Sequence, residues 1–133
     1  RNQGPLFSIA PEVTGQLKVM SVCLEHGKPG PRSSIPYEIQ PIEGVVPKVD
    51  VQEVLRMLGQ REISLHAAQA AVWHLNNGLS WEKLEAEKTS KLNIPVRPLF
   101  SSQELAEAKK AVGQAAKRCK ENASAGPTQS AAR

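Results

Sequence analysis

The chain has 133 residues, 40% of them apolar and 23% charged, the make-up of one globular domain with a single core. Lys and Arg number 17 against 13 Asp and Glu, a formal charge of +4 that does not by itself imply nucleic acid, and aromatic residues at 4% exclude the stacking platform of a single-strand binder. No apolar run is long enough to span a membrane, and two cysteines, Cys23 and Cys119, are too few for a disulfide scaffold, although one Cys23–Cys119 bridge stays open for a secreted protein.

The chain opens on Arg1 rather than Met, as a trimmed or mature form would. Residues 1–15 read as a loosely ordered lead-in, with Leu6, Phe7 and Ile9 as an edge strand ended by Pro11. Residues 16–24 carry the strongest strand signal. Leu17, Val19, Ser21 and Cys23 alternate with Lys18, Met20, Val22 and Leu24, and both faces are largely apolar, which predicts a central strand. Residues 25–31 form a turn by composition, and residues 37–42 give a second strand limited by Pro41.

Helix signals take over at Asp50. Asp50 reads as an N-cap with Glu53 three residues on, Val49 and Val54 as its hydrophobic staple, and Val51, Val54, Leu55 and Leu58 as the buried face closed by Gly59. A second helix runs from the N-cap Ser64 to Gly78, whose left-handed conformation ends it; Leu65, Ala68, Val72 and Leu75 mark its buried stripe. Ser80 caps a short third helix over residues 81–88. A proline-punctuated crossing, residues 92–98, leads to a last helix with a Ser101/Glu104 capping box, a Phe100/Leu105 staple and a narrow seam of Leu105, Ala108, Val112, Ala115 and Cys119. Residues 123–133 read as a disordered tail. The pattern predicts an α+β fold over residues 16–122, a small antiparallel sheet carrying Cys23 packed with a cluster of about four helices carrying Gln69.

Gln69 is the oddest residue. It lies on the apolar stripe of its helix, where an unpaired carboxamide costs about 1–3 kcal/mol. Cys23 suggests a use for it. A thiol can attack a side-chain carboxamide, expel ammonia and leave an internal thioester, an acyl donor for an amine or hydroxyl on a partner.

The residues around this pair support the comparison. Residues 68–73, Ala-Gln-Ala-Ala-Val-Trp, resemble the TQxA(I/V)W motif of the thioester domains of Gram-positive surface adhesins. Val22-Cys23-Leu24 resembles that family's cysteine motif, and Val51-Gln52-Glu53-Val54-Leu55 its third motif, in the family's order. Ala68 stands where the family has Thr and Val22 where it has an aromatic residue or Leu, and the interval from Cys23 to Gln69 is short, as if a helical insert were absent. The resemblance implies a covalent binding module without cofactor, not an enzyme, since capture is single-turnover. It also implies a monomer at the cell surface or secreted, whose partner is an extracellular protein or glycan with a nucleophilic amine or hydroxyl. Missing the threonine, the bond is expected to form in part or to hydrolyse quickly. Trp73, next to Gln69 on its helix, is expected to cover the site, and Trp81 to dock the third helix.

Plainer readings compete. Cys23 fits a small buried hydrophobe and Gln69 a ligand to strand-edge backbone, which leaves a non-covalent structural or interaction domain. Gln52 reads as a first-turn surface residue or a ligand to nearby backbone. His26 and His66 are candidate bases for Cys23, as is His74, but no orienting Asn or Asp stands in a recognisable setting for a Cys/His hydrolase. Cys23-x-x-His26 is half of a zinc spacing and lacks its second pair. The basic last helix, with Lys109, Lys110, Lys117, Arg118 and Lys120 interspersed with Glu104, Glu107 and Glu121, reads as a solvated face rather than a nucleic-acid surface.

Overall fold

The helices bury their inner faces on one another. The computed structural model describes residues 10–89, 93 and 95–125. Among these are α1 (Ile42–Val45), α2 (Val49–Gly59), α3 (Leu65–Asn77), α4 (Trp81–Ala86) and α5 (Ser102–Ala125). Helices α2, α3 and α5 pack pairwise around one core, and α4 leans on α3 and α5.

The expected α+β fold is therefore corrected to an all-helical one. Among the described residues there is no sheet, and the β pairing is one antiparallel bridge between Lys88 and Pro98. Residues 16–24 and 37–41 have no regular secondary structure, and Ile42 opens α1 instead of closing a strand. Leu17, Val19 and Ile39 remain 61%, 77% and 97% exposed. Period-2 alternation makes a strand only where a partner ladder and a covering layer accept it, and neither is present here. The expected edge strand at Leu6, Phe7 and Ile9 lies outside the described residues, as does the tail after residue 125. The tail's first residues, 123–125, are the end of α5.

Helix α3 sits at the centre because its side chains are small. Ala67, Ala68, Ala70, Ala71 and Val72 are fully buried and cover about 200° of its circumference at 100° per residue, so α2 and α5 can approach it closely. The expected stripe is rotated from this: Leu65 is 38% exposed, because alanines rather than leucines fill the inner face. The ends follow the expectation. Ser64 Oγ accepts from the Ala67 N–H, and Gly78 closes the helix at φ 69°.

The other helices divide between agreement and correction. Asp50 is not the cap of α2. That place falls to Lys48, which makes no side-chain cap bond, and Asp50 accepts from the N–H of Val51. Val49 is 61% exposed and staples nothing. Glu53 is buried, taken up by Arg56 at 2.6 Å and by Arg118 of α5 at 3.4 Å, and Arg118 also binds Glu62 at 2.9 Å. Glu62, then Glu53, hold the Arg118 guanidinium above its usual pKa. Ser80 caps α4, which ends at Ala86 rather than residue 88. The α5 box forms as expected, with the Ser101 N–H on Glu104 at 2.8 Å and the Glu104 N–H on Ser101 Oγ at 3.1 Å, and with Phe100 and Leu105 buried beside it.

Candidate functional site

The side of α3 turned away from its alanines carries Gln69, Trp73, Asn76 and Asn77, at i, i+4, i+7 and i+8. The segment containing Cys23 lies across this stripe and is fastened to it by carboxamides. The Cys23 N–H donates to Gln69 Oε1 at 2.8 Å, and Gln69 Nε2 donates to the Cys23 carbonyl at 2.8 Å. Asn76 and Asn77 both donate to the Leu24 carbonyl, at 2.8 and 2.7 Å, and Asn77 Oδ1 accepts from the His26 N–H at 3.1 Å. Side chains of a helix thus do for residues 23–26 what a neighbouring strand would do in a sheet. At a net of about 0.5–1.5 kcal/mol each, these bonds are enough to hold a short segment without a ladder. Gly27, at φ 86°, then turns the chain away.

Cys23 and Gln69 are therefore brought together across 46 residues of sequence. Cys23 is a half-buried free thiol, and Cys119 is free as well, so no Cys23–Cys119 bridge forms. Burial pushes the Cys119 thiol up, and the charges of Glu53 and Asp50 add to this, which suits an unreactive group in the seam between α2 and α5.

The supporting residues scatter. His26 belongs to the site: its ring lies edge-on to Trp73 at 4.7 Å and its Nε2 meets Glu87 at 2.7 Å, tying the Cys23 segment to the end of α4. His66 does not, since its Nδ1 pairs with Glu104 at 3.0 Å at the start of α5. His74 donates from Nδ1 to the Leu79 carbonyl at 2.7 Å and stacks on Trp81 at 4.1 Å, which docks α4 as expected. Gln52 donates to the Val46 carbonyl at 2.6 Å and braces the junction of α1 and α2.

Trp73 is half-buried between His26 and Phe100, and its Nε1–H, fully enclosed, has no partner among the described residues. An unpaired buried donor of this kind costs about 1–3 kcal/mol, so it stands out one helical turn from Gln69.

Asn76, Asn77 and Glu87 are the site residues that sequence reasoning passed over. The two asparagines read as a helix-end signal, yet their spacing from Gln69 already set them on its stripe. Glu87 carried no signal, because its meeting with His26 depends on the fold.

No family model, curated protein or solved structure matches this chain.

Proposed function

We propose that this domain is a covalent binding module in which Cys23 and Gln69 form an internal thioester. The observation that supports it is the reciprocal pairing of the Gln69 carboxamide with the Cys23 peptide. It presents the carboxamide to the residue bearing the thiol, with Oε1 already on an N–H donor at 2.8 Å. Attack by Cys23 Sγ on Gln69 Cδ drives negative charge onto that oxygen, where a fixed donor lowers the barrier. The Cδ–Nε2 bond then breaks, and the nitrogen leaves as ammonia with the thiol proton. A partner amine attacks the same carbon, forms an amide at Gln69 and returns the thiol to Cys23. Each domain reacts once, so this is capture and not turnover. The partner on this reading is an extracellular protein or glycan with a nucleophilic amine or hydroxyl, met by a secreted or surface-bound module. No described helix is long and apolar enough to cross a membrane.

The test is the intact mass. A joined protein weighs one ammonia less than its sequence, methylamine adds its own mass at Gln69 and frees one thiol, and Cys23→Ala abolishes both effects. A full-sequence mass with a titratable Cys23 thiol refutes the bond.

One observation favours a second reading. Both ends of the Gln69 carboxamide are satisfied by backbone, as a purely structural staple requires, and that arrangement does not use the thiol. On this reading the domain binds its partner non-covalently, and Cys23→Ala leaves binding unchanged.

A further inference from the structure

Beside Cys23 lies a hollow of about 560 Å³, within the size range of ligand sites, walled on one side by residues 21–25 and on the other by residues 28–32, Ile35 and Tyr37. Its apolar lining includes Val22, Leu24, Pro29, Pro31, Ile35 and Tyr37, with Ile35 and Tyr37 45% and 63% exposed. Its charges do not balance. Lys28 and Glu25 meet at 3.5 Å and offset one another, whereas among the described residues no carboxylate pairs with the Arg32 guanidinium. The Arg32 N–H donates to the Tyr37 hydroxyl at 3.2 Å, which ties two residues of the same wall together.

We infer that this hollow receives a peptide segment bearing an apolar side chain next to a carboxylate, and so selects the nucleophile that reaches the acyl carbon of Gln69 beside Cys23. Apolar walls favour an aliphatic or aromatic side chain over a sugar ring. The unbalanced guanidinium takes a carboxylate in its planar fork. The same unbalanced Arg32 disfavours an isolated ammonium, so an amine is delivered best on a segment whose own acid pairs with that guanidinium.

The delivery of an amine rests on the thioester reading, but the hollow's preference does not, so the experiment separates them. Two fluorescent peptides of equal length, each with one Lys and one Leu, one flanked by Glu and the other by Arg, are titrated by anisotropy into the Cys23→Ala protein, where no bond forms. The acidic peptide should bind about two- to fivefold more tightly, the preference that a part-exposed ion pair supports, and should weaken with salt. Arg32→Glu, with its helical circular dichroism retained, should reverse the order. Equal binding, binding of neither peptide, or an acidic preference that survives Arg32→Glu overturns the inference. The wild-type mass and its response to methylamine report on the bond alone, so an acidic preference with no ammonia lost retains the hollow and removes the thioester.

Discussion

Replacing Gln69 by glutamate tests the staple directly, and it also reproduces what a hydrolysed thioester would leave behind. In the native site one carboxamide oxygen accepts from the Cys23 N–H and the nitrogen donates to the Cys23 carbonyl. A carboxylate keeps the first bond but faces the carbonyl with a second acceptor. The lost donor and the opposed oxygens should cost about 1–3 kcal/mol at pH 7. In a domain of this size that corresponds to a fall of roughly 4–13 °C in melting temperature. A protonated carboxyl can donate again, so burial beside a carbonyl raises the folded pKa of the new group above its unfolded value of about 4.3. Its stabilising contribution is then whole below that value and is lost as pH rises through the folded pKa. The difference in melting temperature between wild type and Gln69→Glu should accordingly be small near pH 4 and grow toward pH 7. Circular dichroism at 222 nm follows both curves. A variant as stable as wild type at pH 7, or a difference that does not change with pH, would show that the carboxamide is not held on the Cys23 peptide.

Two further outcomes probe the scaffold. Leu84 is fully buried where α4 meets α3 and α5, so Leu84→Ala should lower stability by about 2–5 kcal/mol in urea titrations; a loss under about 1 kcal/mol would mean that α4 is not docked. Glu104 has a folded pKa below its ordinary 4.5, chiefly because the Ser101 N–H donates to it, against an opposing effect of burial and with help from His66. Its contribution is therefore present above the ordinary value and is lost as pH falls through the lowered one. Glu104→Ala should flatten the acid side of a plot of melting temperature against pH, and an unchanged acid side would make the α5 cap inert.

The helices were legible because their signals are local. Ser64, Gly78, Ser80 and the Ser101/Glu104 box act over three or four residues, and each end lies within two residues of where they place it. Asp50 and Val49 misled because Glu53, the third member of that pattern, is taken up by Arg56 one turn on and by Arg118 of the neighbouring α5, 65 residues on. The sheet failed for a related reason. The alternation at Leu17, Val19 and Met20 states a preference that only a partner strand can realise, and those side chains stand in solvent. The Cys23–Gln69 meeting was expected from thiol–carboxamide chemistry and from the motif resemblance, and a carboxamide on an apolar stripe must find a partner in any case. The exclusion of His66 was not readable. One turn from Gln69 along the helix, it is drawn to Glu104, which the sequence places 38 residues away.

Fastening and chemistry fall to different residues of the same stripe. Thioester formation would remove Gln69 Nε2 and with it the bond to the Cys23 carbonyl, at a net cost of about 0.5–1.5 kcal/mol. Asn76 and Asn77 would still grip the Leu24 carbonyl and the His26 N–H, and His26 would still reach Glu87. The segment therefore need not leave α3 when Gln69 is consumed, and a partner's nucleophile would meet an acyl group held in place. Either reading of the site uses that arrangement. A covalent module needs the segment still during attack, and a non-covalent one needs the hollow beside it to keep its shape. What separates them is the bond between Cys23 Sγ and Gln69 Cδ, because the contacts of Asn76, Asn77 and His26 are common to both.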